Sequence, residues 1–550
     1  MKSSCVVAFG LFVGQLLISE ESQARVQLSE NKFAVADTAQ KAPANWFNLD
    51  PQVSQVQGVS TEKAYEYLKN RPSKTVVVAV IDSGIDIEHE DLKDKIWTNA
   101  KEIAGNGIDD DKNGYVDDVH GWNFIGGKDG RNVEHDTQEL TRLFVKLRDT
   151  FTGPDSAKVQ RKQKDQYAQY LKIRAEFQKE LKETQAQYSQ FQQLYQAYQN
   201  ATALLKEKLG KEDFTLPEIL ELQSSNQQVN QAKAIILFMA ENNFSKESFE
   251  EGEDYFIGKL KYNLNPNYNP RDIVGDDYNN LKEKFYGNND VTGAFAEHGT
   301  HVAGIIGANR TNELGIKGIA DNVKIMVIRA VPNGDERDKD VANAIYYAVD
   351  NGARVINMSF GKGYSPHKEA VDGAIKYAAS KGVLLVHAAG NDAQNIDQKI
   401  NYPTRQVSAN QEVKNWIEVG ASSWESVENL VGDFSNYGKK SVDVFAPGVD
   451  INSTVPKQGY KSNSGTSMAA PVTSGISALL LSYYPNLTAV QVRDIILQST
   501  IKHKDAMVTK PASGEEKRPE TVKFDALSVT GGVVNAFEAV KLADSMSTKQ

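Results

Sequence analysis

The amino-acid sequence predicts an α/β fold in three layers, with helices on both faces of a mostly parallel sheet. Continuous apolar, β-branched runs are typical of buried parallel strands. Such runs recur at 76–81, 323–329, 354–358, 383–387 and 416–420. Helical patterns lie between them, and this alternation is what builds a parallel sheet. A chain of 550 residues is also long for a single domain, which leaves room for a second one.

The first strand ends in an acidic residue. Residues 77–86 read VVAVIDSGID, so Asp82 follows the apolar run and precedes a tight Ser-Gly turn. Open α/β sheets bind ligands at the carboxyl ends of their strands. Taken alone, Asp82 is explained equally well as a turn or capping residue.

Two helices begin with residues that can carry chemistry. Residues 297–308 read EHGTHVAGIIGA and residues 463–471 read NSGTSMAAP. His298 and Ser467 therefore stand at the starts of small, apolar helices, where backbone N–H groups lack intrahelical partners. Free donors suit an oxyanion. A lone histidine is more often structural, however, and a lone serine is more often a helix cap.

Together these three strings resemble the subtilisin-like (subtilase) serine proteases, in the order Asp, His, Ser that subtilisin itself has. Two more strings extend the resemblance: VLLVHAAGN at 383–391 and VINMSFG at 355–361. The resemblance implies a subtilisin-like core and a catalytic triad, with an asparagine that binds the oxyanion. The implied residues are Asp82, His298, Ser467 and Asn391. His301, on the same helix, is interpreted as structural.

The resemblance also implies where a peptide substrate binds. Its backbone would pair with Ser359, Phe360 and Gly361, and the first specificity pocket would lie between that segment and Ala388, Ala389 and Gly390. By the same resemblance, Asn401 lies near the pocket floor. Small wall residues predict a broad preference for apolar or aromatic side chains.

An acidic loop predicts a structural calcium ion. Residues 109–118 read DDDKNGYVDD, with oxygen ligands at alternate positions and a glycine at the sixth. The expected ligands are the side chains of Asp109, Asp111, Asn113 and Asp117, with the carbonyl of Tyr115. The twelfth position is His120 instead of glutamate, so the loop is not a complete EF-hand, and Asp118 is a substitute ligand to consider. The alternative is a solvated acidic turn.

A long insertion separates the predicted catalytic residues, because Asp82 and His298 are 216 positions apart (298 − 82). Glycine is scarce between about Thr137 and Gly258, and apolar residues recur at three- and four-residue steps from Ser156 to Leu209. Gly210 is expected to end this helix, and Leu216 to open a second helical stretch that includes Met239. The sequence predicts a helical hairpin or bundle, followed by a loop from Asn263 to Asn289. Its role is either to stabilise the core or a second copy, or to form a lid.

The N-terminus predicts export. Lys2 precedes an apolar stretch from Val6 to Ile18 that is too short to span a bilayer, and residues 22–24 read SQA, a small-x-small cleavage site. A periplasmic or extracellular location follows, without a stable membrane anchor. Cys5 is the one cysteine, so the mature chain is expected to lack disulfides. The net charge of −10, without a basic block, argues against nucleic acid as a partner.

The expected organisation is a signal peptide at 1–24, a catalytic domain in two parts at 25–136 and 291–545, and a helical insertion with its return loop at 137–290. The predicted function is an exported serine endopeptidase that acts on peptides or proteins through an acyl-enzyme, with Ca²⁺ as a structural cofactor and self-association through the insertion as a further expectation. One alternative is a calcium-stabilised binding protein with the insertion as its interface. Another is an esterase or peptide ligase that uses the same triad.

Overall fold

The computed structural model describes residues 42–151, 159, 161–242, 244–512 and 520–547. Within them the chain divides into two compact units. The helical unit is Thr141–Asn267, and the sheet unit is Asp37–Leu140 together with Tyr268–Gln550. The predicted signal peptide at 1–24 and Cys5 lie outside the described residues. The domain boundaries expected from the sequence stay predictions.

The strands include long buried ones and short pairs near the surface. They are β1 Val76–Asp82, β2 Gly121–Asn123, β3 Val323–Arg329, β4 Val355–Met358, β5 Leu384–Ala388, β6 Gln406–Ser408, β7 Gln411–Glu412, β8 Trp416–Ser422, β9 Val444–Pro447, β10 Ile451–Val455, β11 Gly459–Asn463, β12 Ile501–Lys502, β13 Met507–Thr509, β14 Thr521–Lys523 and β15 Gly532–Val533.

The α-helices range from one turn to 46 residues. They are α1 Pro51–Ser54, α2 Thr61–Tyr67, α3 Glu139–Phe151, α4 Lys164–Leu209, α5 Leu216–Glu221, α6 Gln227–Glu241, α7 Lys246–Gly258, α8 Glu297–Gly307, α9 Asp338–Asp350, α10 Lys368–Ser380, α11 Thr466–Tyr483, α12 Ala489–Gln498 and α13 Ala536–Ser547.

Nine strands form the main sheet, in the order β12-β15-β9-β8-β5-β4-β1-β3-β2. Every neighbouring pair is parallel except β12 with β15 at one edge. The central strand β1 pairs with β3 on one side and with β4 on the other. Strands β1, β4 and β5 therefore end at the same edge of the sheet, and polar residues follow them there. All five strands expected from the apolar runs are present, with bounds within two residues of those predicted.

Helices cover both faces of the sheet, as the three-layer prediction requires. Successive residues of β1 point to opposite faces: Val78 and Val80 belong to one hydrophobic core and Ala79 and Ile81 to another. Apolar residues of α8, α11, α12 and α13 complete the first core, and those of α9 and α10 complete the second. The predicted α/β fold is thus confirmed. Its last helix begins at Ala536, after the short strand β15.

The helical unit is a bundle and not a simple two-helix hairpin. Helix α4 runs for 46 residues and ends at Gly210, which takes the left-handed conformation (φ 64°) that favours glycine. The single stretch expected after Leu216 is instead three helices, α5, α6 and α7. The breaks occur because Asn226 and Ser245 cap new helices, each accepting backbone N–H groups with its side chain.

Aromatic side chains hold this bundle together. Phe191 of α4 and Phe249 and Phe256 of α7 are fully buried and cluster with Met239 of α6. A second cluster joins α4 to α5 and α6 through small and aliphatic residues such as Leu205. The loop predicted from Asn263 to Asn289 is present, and its regular structure is limited to one short helical turn, Arg271–Ile273, and the end of a π-helical turn at Lys259–Asn263.

Candidate active site

Asp82 and His298 form a direct pair at the edge where β1 ends. Nδ1 of His298 lies 2.7 Å from Oδ1 of Asp82. Two glycines allow this approach. Gly84 has φ +124°, and a Cβ there would lie 2.0 Å from the carbonyl oxygen of Thr292. A Cβ on Gly299 would lie 2.2 Å from the carbonyl oxygen of Gly84, so any larger residue would push α8 away from the strand.

Burial and charge act in opposite directions on His298. Burial lowers the pKa of its imidazole, whereas the charge of Asp82 and its hydrogen bond raise the pKa, and the net result lies above the ordinary value. The side chain of Asp82 is only 3% exposed, while that of His298 is 42% exposed. The carboxylate is therefore shielded from water, and the imidazole remains accessible to a substrate.

His301 is separated from this pair in role and environment. Its side chain is fully buried, and its Nε2 lies 2.9 Å from the carbonyl oxygen of Lys461. Burial lowers the pKa of its imidazole to about 3, so the ring is neutral at physiological pH. These contacts agree with the structural role expected from the sequence.

Ser467 is the second residue of α11, and it is hydrogen-bonded to the segment that directly follows β4. Its hydroxyl donates to the carbonyl oxygen of Ser359 at 3.1 Å, and the hydroxyl of Ser359 donates to the carbonyl oxygen of Ser467 at 2.9 Å. A buried chain continues behind Ser359, which accepts from Asn357, which in turn accepts from Ser474. The serine is thus fixed in position by reciprocal hydrogen bonds.

Asn391 is oriented by Thr466. The amide oxygen Oδ1 of Asn391 accepts from the backbone N–H of Thr466 at 2.8 Å and from its hydroxyl at 3.0 Å. The same hydroxyl accepts from the N–H of Gly390. Because Oδ1 is held in this way, the side chain offers its Nδ2 as a donor. The sequence did not single out Thr466, and its place in the Gly-Thr-Ser string was the available signal.

Two donor nitrogens lie close to one small space beside the serine. A Cβ added to Gly465 would lie 3.4 Å from Nδ2 of Asn391 and 3.6 Å from the backbone nitrogen of Ser467. The N–H of Ser467 belongs to the first turn of α11 and has no intrahelical acceptor. The site can therefore donate two hydrogen bonds to one oxygen atom, and glycine keeps the space open.

Asn401, which the sequence placed near the pocket floor only by resemblance, lies between the two predicted substrate-binding segments. Asn401 donates to the carbonyl oxygens of Ala388 and Ala389, each at 3.2 Å. A Cβ on Gly361 would lie 2.5 Å from Oδ1 of Asn401. Phe360 packs partly against the second core, and its ring lies 6.4 Å from that of His387.

The acidic loop brings three carboxylates together, and two of them, Asp109 and Asp111, are among the expected ligands. Carboxylate oxygens of Asp109, Asp111 and Glu102 lie within 4.8 Å of one another. Glu102 was missed because it precedes the motif, and it also accepts from the backbone N–H groups of Asp111 and Asp117. Three carboxylates this close repel one another unless a cation or proton compensates.

The other expected ligands of the loop have protein partners. Asp117 accepts from the N–H groups of residues 105, 106 and 107. Asn113 accepts from the N–H of Tyr115 and donates to Asp118. Asp118 is buried and also accepts from Tyr347, and burial raises its pKa to about 6. Asp118 thus has several protein partners, as Asp111 does.

Comparison with known proteins decides the family. A family model described as the subtilase family matches residues 73–520. The chain belongs to the subtilase family. This match confirms the predicted resemblance to the family, and it agrees with the parallel sheet described above. The chain spans about half the length of most of the curated relatives it matches.

Several curated subtilases are similar to this subtilase. The Thermophilic serine proteinase of Bacillus sp. (strain AK1) is 43% identical over 207 residues, which are 37% of this chain and 47% of the relative. Subtilisin DY of Bacillus licheniformis is 41% identical over 36% of this chain and 68% of its own length. A mutant of the protease domain of PatA aligns with 46% of this chain at 27% identity and a TM-score of 0.36, which is too low to support a conclusion.

The relatives do not agree on a compartment by name. They include a Cell wall-associated protease and a Major intracellular serine protease, both of Bacillus subtilis (strain 168). The latter is 39% identical over 36% of this chain and 59% of its own length. Among the described residues, no helix combines the length and apolar character that a membrane span needs.

Proposed function

We propose that this subtilase hydrolyses peptide bonds through the triad of Asp82, His298 and Ser467, with an acyl-enzyme intermediate. The observation that carries the proposal is the convergence at one edge of the sheet: the Asp82–His298 pair, and the two donors that flank the space beside Ser467. This arrangement provides a base, a nucleophile and an oxyanion site, which are the parts that acyl transfer requires.

In the first step Ser467 attacks the substrate carbonyl carbon. His298 accepts the hydroxyl proton on Nε2, since Nδ1 faces Asp82. The hydroxyl of Ser467 donates to the carbonyl oxygen of Ser359 in the free protein, so it has to turn from that acceptor toward the imidazole. His298 then gives the proton to the leaving amine, and a serine ester remains. Water, deprotonated by His298, attacks this ester and releases the acid.

The negative charge of each tetrahedral intermediate would be stabilised by Nδ2 of Asn391 and the N–H of Ser467. Both donors are fixed before substrate arrives, because Thr466 holds the asparagine and α11 holds the backbone amide. Preorganised donors need no rearrangement when the charge develops. The substrate backbone would pair along Ser359, Phe360 and Gly361, which continue from the end of β4.

A burst experiment tests the acyl-enzyme. The protein is mixed with an activated ester and, separately, with an anilide peptide, and the first turnover is followed. We expect a rapid burst of one leaving group per site with the ester, slower steady turnover, and hydrolysis of the amide. The matched variant Ser467→Ala should abolish all three signals.

The same experiment separates the alternatives. Ester turnover without amide cleavage would favour an esterase, and transfer to an added amine in preference to water would favour a ligase. Absence of both a burst and turnover would favour a binding protein on the protease scaffold. The intact set of Asp82, His298, Asn391 and Ser467 supports hydrolysis over that last alternative.

We also propose that the acidic loop binds a structural Ca²⁺. Glu102, Asp109 and Asp111 supply the hard oxygen ligands that calcium prefers. The backbone N–H of Asn113 donates to both aspartates, and that of Gly114 donates to Asp109. Bound calcium would neutralise the clustered charge and fix the loop that leads into β2. Its contribution would be to stability and not to proton transfer.

We further propose roles for the helical unit and for the N-terminus. If the unit is a lid or substrate-selecting arm, a variant with 141–267 replaced by a short linker should cleave folded proteins at a different rate from the full chain. If the unit mediates self-association, the variant should have a different oligomeric state. Equal rates on every substrate and equal mass in solution would contradict both.

Export with cleavage after Ala24 is tested by N-terminal sequencing of the protein recovered from cell fractions and medium.

A further inference from the structure

We propose that Lys362 is a positioning residue for substrate binding, because its buried ammonium group ties the segment 359–361 to the base of the helical insertion (residues 136–140 and 268–283, which flank the helical unit). This inference rests on the proposed function, in which the substrate backbone pairs along that segment. It makes the binding of extended substrates depend on a charge cluster that lies outside the triad.

The segment 359–361 is fixed at each of its ends. At the end next to β4, the hydroxyl of Ser359 donates to the carbonyl oxygen of Ser467, and the carbonyl oxygen of Ser359 accepts from the Ser467 hydroxyl. At the other end, Lys362 exchanges two backbone hydrogen bonds with Tyr402, at 3.1 and 2.9 Å. Between these ends Phe360 is half-buried and Gly361 is exposed. The middle of the segment is therefore accessible to a substrate, and its position depends on what holds the two ends.

The side chain of Lys362 provides a second attachment at the far end. Only 2% of this side chain is exposed. Its ammonium group lies 3.0 Å from a carboxylate oxygen of Glu139 and 2.8 Å from one of Asp338. It also donates to the carbonyl oxygen of Glu336 at 2.7 Å. A buried charge requires such pairing, and the long side chain thereby loses its freedom to move.

The carboxylates that hold Lys362 lead to the base of the insertion. Glu139 is the first residue of α3, which continues into the helical unit, and Asp338 is the first residue of α9. Neighbours of Asp338 form further ion pairs with the same base: Arg337 with Asp136, Lys339 with Asp276 and Glu283, and Asp340 with Arg271. The start of α9 thus anchors the chain on both sides of the insertion, and Lys362 connects it to the substrate segment.

Loss of the ammonium group would loosen one end of the segment. A substrate backbone that pairs with a mobile segment has to order it first, and ordering the backbone of one residue lowers affinity about 10-fold. A substrate that occupies only the space beside Ser467 does not use the far end of the segment. The expected loss therefore grows with the length of the substrate.

The test compares a short substrate, an ester of one acylated amino acid, with a tetrapeptide ester that has the same residue before the cleaved bond. The measured quantity is the ratio of kcat/KM for the long and the short ester within one preparation, which does not depend on the fraction of folded protein. Lys362→Met combined with Glu139→Gln removes the ion pair without leaving that carboxylate charged. We expect this double variant to lower the ratio about 10-fold, through a higher KM for the long ester at nearly unchanged kcat.

Lys339 supplies a matched control. Its side chain is 1% exposed, and its ammonium group also contacts two carboxylates and a backbone carbonyl, which belong to Asp276, Glu283 and Asp277. It lies in the first turn of α9 and not on the substrate segment. Lys339→Met combined with Glu283→Gln should therefore destabilise the fold to a similar extent and leave the ratio unchanged.

The outcomes are distinct. A ratio that is unchanged in the Lys362 double variant, or that falls equally in the Lys339 double variant, overturns the proposal and leaves the protease function intact, because the short ester still reports turnover. Glu139→Gln alone should lower the ratio by a smaller factor, which keeps the proposal falsifiable if the double variant does not fold. Failure of both esters with the wild type, together with absent labelling of Ser467 by a fluorophosphonate, overturns the proposed function and this proposal with it.

Discussion

The sheet unit and the helical unit bury different kinds of side chain. The sheet unit buries many charged groups, among them Asp82, Arg329 and Lys339. In the described part of the helical unit, the buried polar residues are the uncharged Thr141, Thr184 and Asn263, and the rest of the core is aromatic and aliphatic. A buried charge destabilises a fold unless it is paired, so it persists where pairing is secured or chemistry needs it. The difference assigns chemistry to the sheet unit and packing to the helical one.

The largest expected effect short of removing the nucleophile comes from the Asp82–His298 pair. Asp82→Asn should lower kcat about 10⁴-fold, the loss known for the equivalent change in a Ser-His-Asp protease. It should also move the acid limb of kcat/KM to lower pH. His298 acts as a base only when it is neutral, and the charge of Asp82 raises the pKa of its imidazole. Loss of that charge lowers this pKa, so His298 remains neutral in more acidic solution and the acid limb moves to lower pH.

A pH profile of kcat/KM for both forms checks this prediction. Asp86→Asn is the matched control, since Asp86 accepts from the backbone N–H groups of Glu88 and Lys457 and has no hydrogen bond to the imidazole. An acid limb that stays in place in the Asp82 variant would mean that another group provides the base.

In the helical unit the largest effect should be on stability. Phe249 is fully buried and its ring stacks on those of Tyr195 and Tyr198, at 5.0 and 4.8 Å between centroids. Phe249→Ala should lower the local free energy of unfolding by about 3–5 kcal/mol, through lost burial and the cavity left behind. Cleavage of short peptides should be unchanged.

Hydrogen exchange of α4, α6 and α7 measures this stability. Leu220→Ala, at a side chain that is 46% exposed, is the control and should change it by less than about 0.5 kcal/mol. A large loss of peptide turnover in the Phe249 variant, with the sheet unit still protected, would contradict the division of roles.

The oxyanion donors should have an effect of intermediate size. Asn391→Asp keeps an acceptor for Thr466 but removes the donor, and should lower kcat about 100- to 1000-fold; that range was measured in subtilisin, a member of this family. The KM for a short peptide should change little. Thr466→Val should cause a smaller loss, because it frees Asn391 to turn, and Thr466→Ser should restore activity. Equal losses in the valine and serine variants would contradict a positioning role for the hydroxyl.

The smallest effect concerns the acidic loop. Calcium at 100 times its dissociation constant should stabilise the folded protein by about 2.7 kcal/mol, seen as a rise in Tm. Glu102→Gln and Asp109→Asn should each reduce this rise, whereas the exposed Glu428→Gln should not. A Tm that is independent of calcium in the wild type would remove the cofactor proposal and leave the catalytic one untouched.

The sequence predicted best those features that depend on residues close to one another along the chain. The strands, the position of Ser467 at a helix start and the ending of α4 at Gly210 all follow from local patterns, and the structure agrees with them. The single helix expected after Leu216 was wrong, because the capping side chains of Asn226 and Ser245 outweighed a continuous apolar pattern.

Contacts between distant segments were less predictable. Glu102 lies outside the recognised loop motif, and the roles of Thr466 and Asn401 depend on hydrogen bonds to residues 75 and 12–13 positions away.

Labelling with a fluorophosphonate shows whether Ser467 is a nucleophile activated through His298 and Asp82. The protein is treated with a fluorophosphonate near neutral pH, and the modified peptide is identified by mass spectrometry, alongside Ser467→Ala and Asp82→Asn. We expect one adduct, on Ser467. It should be absent in Ser467→Ala and should form much more slowly in Asp82→Asn. An adduct on another serine, or equal labelling of Ser467 with and without Asp82, would contradict a triad built on the contact between Asp82 and His298.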